Sequence, residues 1–241
     1  MSATISRAVA LLAAASRCDS LRPCSLLEIA AFAAREKPAL RFVLAPDDEN
    51  HFSSVVPKLG MALVTTPVYL EPRGGSWFSL VQHKTNQRRT LVVIAPDEGA
   101  DLLMEAECTD VERAGDLLGY PRCCVKAFQR LSEHGGQWGQ ALAATVSKAE
   151  FIDARCNRYA AEWGGVGLLG ELFPCSLECE QAKEYAERLY RATVQLGLHR
   201  LAERAKRDSL RPVALSADGM VSVVAPGTTG SLRFAWNESN H

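Results

Sequence analysis

Net charge is nearly absent from this chain: 27 lysines and arginines stand against 28 aspartates and glutamates, leaving −1. Such a balance supplies no global field for collecting nucleic acid or an anionic membrane, so neither is an expected partner on charge grounds. Long apolar runs are missing too. The opening run "AVALLAAA" falls well short of the roughly 20 residues that span a bilayer, and no later segment comes closer. Arg17 sits where a small residue should precede a cleavage or lipidation cysteine, so residues 1–18 read as an alanine-rich helix of a cytoplasmic protein. Internal repeats and low-complexity tracts are also lacking. What remains is a globular profile, 47% hydrophobic and 23% charged over 241 residues, enough for one large domain or two small ones.

Cysteine, by contrast, is plentiful, with 8 in the chain. A chain this long and apolar does not need disulfide staples, and the spacing is uneven, with one vicinal pair, so metal binding or thiol chemistry is the stronger reading. Two stretches carry the signal. "GYPRCCVKAF" (119–128) places Cys123 and Cys124 just after a proline, and "FPCSLECEQA" (173–182) places Cys175 after another proline and Cys179 shortly beyond.

Periodicity puts both stretches in a helical middle portion of an α+β chain. Helices are expected over 4–17 and 26–37, the second with Ser25 and Glu28 at capping-box spacing and Pro38 as its stop. A buried strand follows at 40–46. "MALVTTPVYL", "SWFSLVQHK" and "RRTLVVIA" then read as an antiparallel meander turning at Gly74-Gly75. Thr109 is the expected cap of a helix to Leu118, ended by Gly119, and Pro121 opens the next helix, over 121–133. A helix over 138–149, a long one from 177 capped by Ser176, and a further one to about 207 complete the helical portion. Three short strands around Asp218-Gly219 and "PGTTG" end the chain. The expected organisation is an α/β portion over 1–105, a helical cysteine-motif portion over 106–208 and C-terminal strands over 209–241, or all of these in one compact domain.

On this reading both motifs set sulfur at helix N-termini, where unpaired N–H groups and the helix dipole stabilise the thiolate that binds metal. Cys123, Cys124, Cys175 and Cys179 are therefore the candidate ligands of one centre, with Cys156 as a spare or fourth ligand. Neither motif has the C-x-x-C spacing of zinc knuckles, while iron–sulfur clusters accept more varied spacings. The leading expectation is thus a [4Fe–4S] protein whose open iron serves small-molecule chemistry, as a sulfur transferase or a lyase of biosynthesis. The alternative is a structural zinc protein that binds RNA or a protein partner, and a vicinal Cys123–Cys124 redox pair is a third reading. Cys18, Cys24 and Cys108 are expected to act as small buried hydrophobes.

The motifs resemble the paired signature G-[YF]-P-x-C-C and P-C-S-x-x-C of the DUF483-like proteins, a largely uncharacterised prokaryotic group. The resemblance covers the two motifs and the helices around them, and not residues 1 to 105. It implies that the four cysteines share one site, and it carries no established reaction.

Other residues have weaker claims. Arg122 and Lys126 are placed to offset thiolate charge. Asn157, Arg158 and Tyr159, with Glu162, are candidates for a small-molecule pocket beside the metal, Arg158 gripping a carboxylate or phosphate. His134 is the histidine nearest the vicinal cysteines, and a surface position is the expected one. The basic run over 188–211 reads as a solvated helix face before it reads as a nucleic-acid surface. The glycines at 164, 165 and 167 lack the strand-turn-helix setting of a nucleotide fingerprint.

Overall fold

A computed structural model describes residues 3–70, 78–79, 88–133, 141–142, 144–145, 152–161, 164–215, 221–224 and 231–236. The expected turns at Gly74-Gly75, Asp218-Gly219 and "PGTTG", most of the helix over 138–149, Glu162 and His134 lie outside the described residues. The architecture is α+β, and the chain divides into two compact units, Met1–Leu21 with Phe32–Gly119, and Arg22–Ala31 with Tyr120–His241.

The first unit is built on an antiparallel sheet. Its strands are β1 (Leu40–Leu44), β2 (Ala62–Leu70), β3 (Phe78–Ser79) and β4 (Arg88–Ala95), in the order β1-β4-β2-β3. β4 is interior because "LVVIA" is an unbroken apolar run, and all five residues are buried. β1 alternates instead, burying Leu40, Phe42 and Leu44 only. Leu40 pairs with Ile94 on one side of β4, and Leu63 pairs with the same residue on the other. Helix α1 (Ala3–Ala15) buries Ala8, Leu11, Ala14 and Ala15. A short α3 (Glu49–Ser53) stacks Phe52 on Phe42, ring centroids 5.3 Å apart.

Helix ends depart from the sequence expectations in instructive ways. α2 (Ser25–Ala33) stops well before Pro38, with Arg35 left-handed at φ 67°. Lys37 is then free of the helix and donates to the Leu118 carbonyl at 2.7 Å. Thr109 does not cap anything: it ends α4 (Gly99–Thr109), its hydroxyl donating back to the Glu105 carbonyl at 2.8 Å. Asp110, in extended backbone, caps α5 (Val111–Leu117) by accepting from the Arg113 N–H at 3.1 Å. Gly119 does take the left-handed conformation, φ 74°, and a Cβ there would meet Pro38 at 2.9 Å. Cys108 is exposed on α4, against the expectation of burial, whereas Cys18 and Cys24 are buried.

The second unit is mainly helical. α6 (Arg122–Glu133), α7 (Glu180–Gln195) and α8 (His199–Ser209) are joined by irregular chain and two 3₁₀ turns, Ala154–Cys156 and Arg158–Ala161. β5 (Ile152–Asp153) runs parallel to β8 (Phe234–Ala235), and β6 (Val213–Leu215) pairs antiparallel with β7 (Val221–Val223), so the C-terminal strands form small sheets of their own. α7 buries the stripe Ala182, Tyr185, Ala186 and Leu189, the i, i+3, i+4, i+7 pattern of an amphipathic helix. The end of α8 clamps the glycine-containing segment: Asp208 accepts from the Val166 N–H and Ser209 from the Leu168 N–H. At Gly165 a Cβ would lie 2.4 Å from the Ala160 carbonyl oxygen, so close backbone approach explains this glycine without a nucleotide. Much of the basic face is locally compensated, with Arg191 on Glu187 at 2.9 Å and both Arg204 and Arg211 beside Asp208.

Candidate metal centre

The second unit brings four sulfurs to one point. Cys123 and Cys124 occupy the first turn of α6, because the Pro121 carbonyl accepts from the Cys124 and Val125 N–H groups and starts the helix there. Cys175 and Cys179 belong to the approach to α7. That helix begins at Glu180, so Cys179 holds the cap position expected of Ser176, and Cys175 lies in the turn before it. The Ser176 carbonyl accepts from the Cys179 N–H at 3.4 Å, closing this turn.

Sγ of Cys123 lies 3.8 Å from Sγ of Cys124 and 3.6 Å from Sγ of Cys179, and Cys124 and Cys179 are 3.8 Å apart. With Cys175, the four ligand atoms all fall within 4.8 Å of one another. Cys124 and Cys179 are buried, while Cys123 and Cys175 are half-buried.

The backbone supplies the electrostatics. Burial pushes the Cys179 thiol up, yet the Ala182 N–H and the S–H groups of Cys175, Cys123 and Cys124 outweigh it and bring Cys179 below the ordinary thiol value. Cys175 is pushed up to about 12, by burial first and then by its neighbouring sulfurs. Cys124 is raised as well, again by burial first, although the Cys175 N–H pulls the other way. Cys179 is therefore the sulfur whose charged form the site favours, and Cys123 and Cys124 lie within 3.8 Å of it. Cys123 also reaches the Gln181 amide oxygen at 3.2 Å. Four soft donors converging with inward N–H groups can hold a metal ion.

Cys156 is fully buried behind this quartet, its Sγ 3.6 Å from the Cys179 carbonyl oxygen it donates to. Arg122 and Lys126 project from exposed positions of α6. Asn157 is buried with its amide donating to the Ser209 carbonyl at 2.7 Å, and Tyr159 sits in the apolar cluster of Leu142, Ile152, Leu177, Val213 and Phe234. Arg158 is buried with its guanidinium 4.3 Å from the centre of the Phe173 ring.

Sequence reasoning treated Glu28 as a capping residue and gave Tyr120 no role. Glu28 instead accepts through Oε1 from Tyr185 Oη at 2.9 Å, Tyr120 Oη at 3.2 Å and the Glu171 N–H at 3.1 Å. Tyr120 directly precedes the proline that opens α6, and Tyr185 stands on α7. One carboxylate thus ties both cysteine-bearing segments together. The signal was a lone acid inside "SLLEIAAFA", where nothing but a buried partner accounts for a charge.

Residues 92–197 match the model of a family described as "Protein of unknown function (DUF483)". The matched interval holds the whole quartet and begins earlier than the motif resemblance suggested. Over 75 residues the chain is 32% identical to an uncharacterized protein of Methanothermobacter thermautotrophicus (strain Delta H). That alignment covers 31% of this chain and 36% of the relative, so only about a third of the relative's length is spanned. No solved structure matches the chain. Among the described residues no helix is long and apolar enough to cross a membrane.

Proposed function

We propose that the quartet binds a single tetrahedral ion, zinc, and that the second unit is a metal-stapled binding module. The carrying observation is the sulfur spacing. A Zn–S bond of about 2.3 Å places the corners of a tetrahedron about 3.8 Å apart. The three separations among Cys123, Cys124 and Cys179, 3.6, 3.8 and 3.8 Å, agree with that edge, and Cys175 lies within 4.8 Å of the other three. A cubane cluster inserts several irons and sulfides among its ligands and spreads them further. The iron–sulfur reading, with its open iron for transferase or lyase chemistry, is therefore ranked second, and what favours it is the irregular motif spacing. The ordinary rule that four protein ligands close a zinc site makes the ion structural: it staples the start of α6 to the turn before α7.

Metal analysis of anaerobically purified protein tests this reading. One zinc per chain, a colourless solution and no acid-labile sulfide are expected. Cys→Ser at 123, 124, 175 or 179 should lower zinc retention, and Cys156→Ser should leave it at one per chain. Iron with stoichiometric sulfide and absorption near 400 nm would replace this reading by the cluster. A change of two in free thiols on reduction, with no metal, would replace both by the vicinal redox pair.

A further inference from the structure

A cavity of about 330 Å³ opens beside the quartet. It is a cleft open to solvent on one side, and its volume lies at the lower end of ligand sites. Its walls come from α6, from the second cysteine motif and from the segment holding Ala141, Leu142 and Thr145. α6 contributes Ala127, Arg130 and Leu131, one and two turns beyond Cys123 on the same helical face. Phe173 and Cys175 of the second motif form the opposing wall. The Phe173 ring is fixed by Arg158 at 4.3 Å and by Phe128, whose centroid is 5.2 Å away. The lining is thus mainly apolar, and it also includes Thr145, the cationic side chain of Arg130 in an exposed position, and Cys175 of the centre.

We infer that this cavity binds a small organic monoanion: an apolar body of aromatic or branched aliphatic type lying against Phe173 and Leu131, with a carboxylate directed to Arg130. The inference rests on the metal reading only in taking Cys175 to be fixed in the centre, so that the wall it forms is rigid. A guanidinium recognises a carboxylate through parallel N–H donors, and an apolar cleft with one such group selects charge at one end and shape at the other.

The test titrates zinc-loaded protein with phenylacetate and, separately, with neutral phenylacetamide, by calorimetry, with zinc content measured on each sample. Phenylacetate should bind at least tenfold more tightly than the amide. Arg130→Gln should erase that preference, and Ala127→Phe or Ala141→Trp, which fill the cavity from two different segments, should abolish binding with zinc unchanged. If zinc is present and phenylacetate fails to bind, binds no better than the amide, or ignores Arg130→Gln and both filling variants, the inference is overturned and the metal reading stands. If the protein carries no zinc yet binds phenylacetate in an Arg130-dependent way, the cavity inference stands and the metal reading falls.

Discussion

Glu28 has no exposed surface, and apart from Ser25 the helix around it is made of leucine, isoleucine, alanine and phenylalanine. A buried carboxylate needs hydrogen-bond donors, and here two tyrosyl hydroxyls and a backbone N–H all donate to Oε1, while Oε2 is buried and receives none of them. Replacing it removes the acceptor while leaving both hydroxyls inside. Each unsatisfied group costs about 1–3 kcal/mol, so Glu28→Ala should destabilise by several kcal/mol, and Glu28→Gln, which keeps one acceptor oxygen, by distinctly less. Urea denaturation of zinc-loaded protein measures both, and equal losses would sink the account. Gly170 belongs to the same argument. It is left-handed, φ 57°, and a Cβ would stand 2.5 Å from Glu28 Cγ, so Gly170→Ala should be destabilising both by strain and by displacing the carboxylate. Because Tyr120 precedes Pro121, these variants should also release zinc to a chelator faster than wild type, a readout that loss of stability at a remote position would not move.

At the scale of elements, caps decide where helices begin, and caps are where sequence reading was weakest. Thr109 and Ser176 are the expected caps, and Asp110 and Cys179 hold those positions instead. Thr109 lost because its hydroxyl is satisfied within α4, while Asp110 has the extended backbone from which a carboxylate reaches the Arg113 N–H. Asp110→Ala should therefore cost about 1 kcal/mol, and Thr109→Ala much less, by thermal unfolding. Ser176 lost to Cys179, whose sulfur faces the Ala182 N–H. Strong periodicities were legible: the unbroken "LVVIA" of β4, the stripe of α7, and Pro121 and Gly119 as punctuation. The quartet was legible as well, since two proline-flanked cysteine pairs are a local signal. What stayed hidden is long-range. Glu28 meets Tyr185 across 157 positions of sequence, and no local pattern announces such a contact. The metal's identity is hidden for a related reason, because motif spacing constrains loops whereas the distance between sulfurs exists only in three dimensions.

For the whole molecule, the metal reading divides the consequences between the two units. The first has its own sheet and apolar core, and the second has its quartet, its Glu28 network and the cluster around Tyr159. Structural zinc contributes folding free energy outright, because the unfolded chain holds no assembled site. Proton competition sets when that contribution is lost. Cys175, pushed up to about 12, and Cys124, raised by burial, carry their protons throughout the neutral range, so the ion must expel them on binding. Apparent affinity consequently rises with pH and falls as acid returns those protons; Cys179, already lowered, contributes least to this dependence. Hydrogen exchange followed while a chelator removes the ion at pH 6 and at pH 8 checks both statements at once. Release should be faster at pH 6, and protection should collapse over residues 120–133 and 175–195 while the amides of β1, β2 and β4 keep theirs. Loss of protection spread evenly over the sheet strands would mean that the ion stabilises the chain globally, and pH-independent release would mean that neutral thiols are not what it displaces.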